Sequence, residues 1–307
     1  MSCNRASDVC SLAAPPDLLV DWKTGGEPSG ILAGRIMAHP RFAEAVRALA
    51  TSAMATFRDR ANGAHASVDA GRYVARLAVM WLDVRNELTL PALKRLCVSS
   101  GLLSAGRARD YIRFLEHDGA IEAVEAGGGQ RATRYRASMQ SRADWLNDLR
   151  GPIAAVSIVA PWARDLLERL HEPAVAATFI ETQGRLLLSS AATLPAGQPV
   201  VEAFYHPAGG LQILSMLIAG SGDDEAFPSR RPVELSIAAL GEATGVSALQ
   251  LRRVLRRAAA SELVAIHPGP AYALTEPADA TLRYIYAGQI LQLINAIAPT
   301  LAHHAKA

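Results

Sequence analysis

Cysteine, lysine and long apolar runs are all scarce in this chain. The three cysteines, Cys3, Cys10 and Cys97, are too few and too scattered for a disulfide framework or a zinc site. Lysine occurs three times against 28 arginines, a bias that a GC-rich genome can produce and that therefore does not indicate DNA binding. No run of about 18 uncharged apolar residues is present, so a membrane span is not expected.

The signatures of common enzymes and metal sites are missing as well. The eight histidines follow no metal-binding spacing, and the chain holds no phosphate-binding loop, serine nucleophile elbow or zinc-protease motif. The triple glycine at 127–129 opens no helix pattern and is expected to be a loop. We therefore expect neither an enzymatic activity nor a bound metal or cofactor.

The length and hydrophobic content are those of a globular protein. The chain has 307 residues, half of them hydrophobic, which is enough for two domains with buried cores. Asp8 and Asp17 interrupt the first residues, which lack the apolar block of a signal peptide. These features predict a cytoplasmic protein, and a DNA-binding one would be found at the nucleoid.

Positive charge is concentrated in two places. The whole chain carries a net charge of only +2, yet residues 90–150 carry ten basic and seven acidic residues, and residues 226–275 carry six and three. Each segment therefore has a net charge of +3, and the remainder of the chain is acidic. This distribution directs attention to two local surfaces rather than to the molecule as a whole.

The two basic segments share one order of features, which indicates an internal duplication. In each, a helix pattern, a glycine turn, a second helix pattern that begins after a serine, and two apolar strand patterns follow one another. The matched pairs are Leu96 and Leu240, Gly101 and Gly245, Ser104 and Ser247, Arg109 and Arg252, Ile112 and Leu255, Arg113 and Arg256, Ile121 and Val264, and Tyr135 and Tyr272. The separation is 144 residues up to the glycine and 143 in the helix that follows.

Each copy has a simple physical interpretation. Gly101 and Gly245 allow a tight turn between two helices, and Ser104 and Ser247 are well placed to cap the second helix. Cys97 falls on the apolar side of the first helix. In the second helix one apolar face is predicted, formed by Ala108, Tyr111, Ile112 and Leu115 in one copy and by Leu251, Val254, Leu255 and Ala258 in the other.

A helix-turn-helix followed by a two-stranded hairpin resembles the winged helix, over roughly 72–138 and 208–275. Helix patterns on both sides of each copy are similar to the plan of MarR-type regulators, which dimerise through their terminal helices. The resemblance implies a mainly α protein with two tandem winged-helix domains, each carrying a small β-hairpin wing, framed by helices as a pseudo-dimer within one chain. The expected boundaries are an irregular N-terminal arm at 1–38, a first unit at 39–172 and a second at 173–307.

The resemblance also implies which residues meet DNA, because the second helix of such a motif contacts base edges and nearby cations hold phosphates. In the first copy these residues are Ser104, Arg107, Arg109 and Arg113, with Arg131, Arg134 and Arg136 in the wing. In the second copy they are Ser247, Gln250, Arg252, Arg253 and Arg256. Gln250 replaces Arg107 and Arg253 replaces Asp110, so we expect two different half-sites.

The expected function is a sequence-specific transcriptional regulator that binds double-stranded DNA. Two alternatives stay open: a plasmid- or phage-type replication initiator, some of which join two winged helices in one chain, and a protein-interaction module that uses degenerate winged helices. An arginine-bearing helix face alone is usually only a solvated surface, so the duplication carries the expectation. Pairing with a second copy through the apolar stretch at 290–302 stays open, and no polar cluster marks a pocket for a small-molecule effector.

Overall fold

The computed structural model describes residues 27–59, 70–101, 103–124, 133–188, 197–220, 222 and 227–305. These residues form a mainly helical protein with two small antiparallel sheets, which confirms the predicted mainly α class. Cys3, Cys10, Arg131 and the triple glycine at 127–129 lie outside the described residues.

Seven helices and two strands make up the first part of the described chain. The helices are α1 (Glu27–Met37), α2 (Phe42–Asp59), α3 (Ala70–Val84), α4 (Leu90–Ser99), α5 (Ala105–His117), α6 (Met139–Val156) and α7 (Arg164–Arg169). The strands are β1 (Ile121–Val124) and β2 (Arg134–Ala137). A short 3-10 helix, Pro161–Ala163, leads directly into α7.

Five helices and three strands follow in the second part of the described chain. The helices are α8 (Pro173–Leu188), α9 (Gly210–Ala219), α10 (Ile237–Thr244), α11 (Ala248–Ala260) and α12 (Glu276–His304). The strands are β3 (Val233–Glu234), β4 (Val264–Ile266) and β5 (Ala271–Leu274). A π-helical turn, Val201–Tyr205, precedes α9 and packs against both α9 and α11.

Helix α1 corrects one expectation from the sequence. The irregular arm expected at 1–38 is wrong over Glu27–Met37, which are helical. Ala33 and Ile36 are buried, α1 packs against α12, and the Arg283 guanidinium donates a hydrogen bond to the Met37 carbonyl at 2.9 Å. A helix of this length draws its stability from such tertiary contacts rather than from its own composition, so its composition did not reveal it.

The turns between α4 and α5 and between α10 and α11 have the predicted backbone. Gly101 has φ 72° and Gly245 has φ 67°, both in the left-handed region that glycine tolerates best. The Gly245 N–H bonds to the carbonyl of Gly241 at 2.9 Å and so ends α10. Both turn glycines therefore adopt the conformation that the sequence predicts.

The predicted hairpins are present in both basic segments. β1 pairs with β2 and β4 pairs with β5, each antiparallel. The sequence did not predict β3, which pairs with β5 through Val233 and Tyr272 and gives the order β3-β5-β4. An isolated bridge between Thr89 and Arg134 takes the equivalent place beside β2. The element order and the strand order therefore correspond between the two segments.

The helices around the two basic segments pack in a reciprocal pattern. α2 lies against α6 and also against α9, while α8 lies against α12 and also against α3. The contacts of α2 therefore recur in those of α8 with the two parts of the chain exchanged, as at an isologous interface. α1, which precedes α2, packs on α12, and α7, which precedes α8, packs on α6. One continuous buried core includes residues of both parts.

Helix α12 is long and apolar enough to cross a membrane by those two criteria alone. In the folded protein 61% of the most apolar 18-residue stretch of α12 is buried, chiefly by α1 and α8. Burial of this kind is typical of the central helix of a globular core.

Two close contacts fix α3 within this frame. The buried Arg76 guanidinium lies 2.8 Å from the Asp148 carboxylate of α6 and 5.3 Å from the centre of the Trp145 ring. Gly184 of α8 lies so close to Trp81 of α3 that a Cβ there would be 2.3 Å from the indole ring. A charged contact therefore joins α3 to α6, and the missing side chain of Gly184 lets α8 approach α3.

Candidate nucleic-acid interface

Helix α5 presents the first set of predicted DNA-binding residues. The Ser104 hydroxyl accepts the backbone N–H of Arg107 at 3.3 Å, which confirms the predicted N-cap. The buried residues of α5 are Ala108, Tyr111, Ile112 and Leu115, the four that the sequence assigns to the apolar face. The opposite side of the helix therefore leaves Arg107, Arg109 and Arg113 exposed to solvent.

Helix α11 repeats this arrangement with more cations. The Ser247 hydroxyl accepts the backbone N–H of Gln250 at 3.3 Å, so this predicted cap is also confirmed. The buried residues are Leu251, Val254, Leu255 and Ala258, as predicted. Arg252, Arg253 and Arg256 are exposed, whereas Gln250 is half-buried.

The two helices differ in how far their positive charge is compensated. α11 contains no acidic residue, and within the described part of the chain Arg252, Arg253 and Arg256 form no ion pair or hydrogen bond. The fourth arginine, Arg257, reaches the Glu202 carboxylate of the π-helical turn at 3.5 Å. α5 carries Asp110 on its exposed side, among the three arginines. α11 therefore presents the stronger positive surface.

The described arginines of the β1-β2 hairpin are held by the protein. Arg134 is half-buried and donates a hydrogen bond to the Asn86 carbonyl at 2.6 Å, and Arg136 is exposed but forms an ion pair with Glu122 at 2.9 Å. Arg131 lies outside the described residues. Each of these two side chains would have to leave its protein partner before it could bind a ligand. Arg252, Arg253 and Arg256 of α11 have no such partner among the described residues.

An open groove of about 490 Å³ lies beside this hairpin. Its lining includes Glu122, Arg136 and Arg142, and Arg142 itself pairs with Asp83 at 2.8 Å. Both arginines are therefore neutralised by neighbouring carboxylates. The groove is nearly balanced in charge, so it adds little positive potential to this surface.

Two cations near α5 were not among the predicted site residues. Lys94 and Arg95 lie on α4, the helix that precedes α5; Arg95 is exposed and Lys94 is half-exposed. Leu93 and Cys97 lie on the other side of α4 and are buried. The signal was present in the sequence, because both residues fall in the basic segment at 90–150. α10 has no counterpart and carries Glu242 instead.

The described residues offer little other chemistry. Among them no group of three or more histidine, cysteine or acidic side chains is placed to hold a metal ion. Burial raises the pKa of the Cys97 thiol to about 12, so at neutral pH this side chain is a neutral core residue rather than a nucleophile.

The surfaces of α5 and α11 are thus the best-defined candidate site in the described chain. Comparison with known proteins adds no relative to this description: no protein-family model, no curated protein and no solved structure matches the chain.

Proposed function

We propose that this protein is a sequence-specific regulator of transcription that binds double-stranded DNA through two tandem winged helices. The observation that carries the proposal is the exposed face of α11. Arg252, Arg253 and Arg256 project from one 13-residue helix that contains no acid, and they have no partner among the described residues. In this proposal α5 and α11 are the recognition helices and the hairpins β1-β2 and β4-β5 are the wings.

The physical basis is the affinity of unpaired guanidinium groups for nucleic acid. Each arginine that meets a phosphate displaces condensed counterions, and this release of ions drives binding. The planar guanidinium also bonds the O6 and N7 atoms of guanine with two parallel hydrogen bonds. A helix that follows a tight turn and carries such groups at its N-terminal end fits the width of the major groove.

The reciprocal packing of the framing helices supports the pseudo-dimer. α2 joins α6 of the first unit to α9 of the second, and α8 joins α12 of the second unit to α3 of the first, as the framing helices of a symmetric dimer would do. Two recognition helices held in this way meet two half-sites on one duplex. The exchange of Arg107 for Gln250 makes those half-sites unequal, because glutamine bonds adenine where arginine bonds guanine. A protein of this kind acts in the cytoplasm, at the nucleoid.

A salt titration tests the proposal. Binding of the full chain to a fluorescent 30-base-pair duplex is measured by anisotropy in increasing KCl. The affinity is expected to fall with salt, with a slope of about −0.9 for each phosphate contacted. The triple variant R252A/R253A/R256A should bind more weakly and lose roughly 0.9 from the magnitude of that slope for each of the three arginines that holds a phosphate.

A matched control removes the same charge elsewhere. Arg35, Arg150 and Arg164 are exposed and lie on α1, α6 and α7, outside both helix-turn-helix motifs. The variant R35A/R150A/R164A should keep a slope close to that of the wild type. Equal losses in the two variants would show that charge alone matters and that α11 is not the binding face. Absence of DNA affinity in wild type at low salt would favour a protein-interaction module.

A further inference from the structure

The exposed stripes of α5 and α11 differ at three of four matched positions, two of which lie toward the N-terminus. Residues spaced by four, three and four positions lie along one side of a helix, opposite the buried stripe. In α5 these residues are Gly106, Asp110, Arg113 and His117, and in α11 they are Leu249, Arg253, Arg256 and Ala260. All eight are exposed. The third position is arginine in both helices, so the difference toward the N-terminus lies at the first and second positions.

We infer that these two positions set further base preferences, beside those of Arg107 and Gln250: Leu249 and Arg253 read a thymine and a guanine, whereas Asp110 reads a cytosine and Gly106 reads no base. This inference rests on the proposed function, since it assigns bases to the face that is proposed to enter the groove. Both positions fall in the first two turns of their helices, the part that meets base edges in helix-turn-helix proteins.

Leu249 is an unusual residue for a solvated surface. Its side chain is 53% exposed on a helix that otherwise displays arginines on that side. In the major groove thymine alone among the bases presents a methyl group, and apolar side chains contact it favourably. At the matched position of α5, Gly106 has no side chain, and a Cβ built there meets nothing within 4 Å. The first copy therefore lacks the apolar contact, although it has room for one.

Asp110 and Arg253 have opposite hydrogen-bonding chemistry. An ionised carboxylate only accepts hydrogen bonds, and in the major groove the amino group of cytosine N4 is a donor that it can bond. A guanidinium only donates, and it matches the two acceptors of guanine. Asp110 is exposed and makes no ion pair or hydrogen bond with the described residues, so its carboxylate is open to a base. The phosphate backbone repels it, and the neighbouring Arg109 and Arg113 offset that repulsion.

The operator that follows is an imperfect inverted repeat. At the place where the α11 half-site has guanine, the α5 half-site has cytosine on the equivalent strand. At the neighbouring base pair, thymine is required only in the α11 half-site. A single substitution in the protein should therefore make the two halves more alike, which a purely electrostatic surface would not do.

The experiment selects bound sequences from a random duplex library with the full chain and sequences them. Wild type is expected to enrich two unlike half-sites. D110R should change the preferred base from cytosine to guanine in one half-site only, and G106L/D110R should add the thymine preference there. R253D should convert guanine to cytosine in the other half-site. With the wild-type operator each single variant should lose roughly tenfold in affinity, and the matching base change should restore it.

A control separates base reading from charge. Glu168 is exposed on α7, and E168R makes the same change in charge outside the motifs. It should raise affinity for all sequences slightly without changing the enriched bases. If D110R and R253D enrich the wild-type sequence at every position, the inference is overturned while DNA binding stands. If wild type enriches no sequence at all, the proposed regulator itself is overturned, and the base assignments with it.

Discussion

At the scale of single residues, Arg76 and Asp148 form a buried ion pair whose loss is expected to lower stability. Their side chains are only 5% and 13% exposed, and their charged atoms are 2.8 Å apart. D148A leaves a buried guanidinium without its carboxylate, which should lower the free energy of unfolding by about 3 kcal/mol. R76M/D148L removes both charges and keeps much of the volume, so it should lose less. Urea denaturation followed by circular dichroism measures both, and equal losses would contradict the importance of the pair.

The sequence also predicted much at this scale, but only where local spacing decides the outcome. Ser104 and Ser247 cap their helices as expected, because the cap depends on residues three positions apart. The partner of Arg134, the Asn86 carbonyl, lies 48 residues away and could not be inferred. The pairing of Arg136 with Glu122 was within reach, since the two are cross-strand neighbours in the register of β1 and β2.

At the scale of elements, the approach of α8 to α3 depends on one glycine. A Cβ at Gly184 would lie 2.3 Å from the Trp81 ring, so G184A must push the helices apart and should lower the free energy of unfolding by about 1–3 kcal/mol. Gly288 of α12 is the matched control, because a Cβ there meets nothing within 4 Å. G288A should raise stability by up to about 1 kcal/mol through helix propensity alone. Thermal unfolding of the wild type, G184A and G288A measures these changes in stability. Similar effects of the two substitutions would contradict close packing at Gly184.

The elements that the sequence missed are those whose stability is not local. β3 has only two residues, and its pairing with β5 depends on a strand that comes 38 residues later in the chain, from Val233 to Ala271. α1 is held by α12, at the other end of the described chain. The α4–α5 and α10–α11 pairs, in contrast, combine apolar periodicity, a left-handed glycine and a serine cap within about 25 residues each. Where several local signals agree, the element was predicted.

For the whole molecule, the consequence of reciprocal packing is that α5 and α11 are held by one core rather than by a linker. α2 packs on α6 and α9, α8 packs on α12 and α3, and buried residues of both parts belong to one cluster. Under the proposed function, such a frame fixes the distance between the two DNA-reading surfaces. Flexible tethering would instead tolerate a range of spacings.

Insertion of base pairs between the half-sites of the selected operator tests whether the distance between α5 and α11 is fixed. Five added base pairs turn one half-site to the opposite face of the duplex, since B-DNA repeats about every 10.5 base pairs. Affinity measured by gel shift should fall to that of a single half-site. Ten added base pairs restore the face but lengthen the gap by about 34 Å, so a fixed frame should not recover full affinity. Recovery at ten base pairs would indicate flexible tethering, and affinity that is insensitive to both insertions would mean that one recognition helix binds alone.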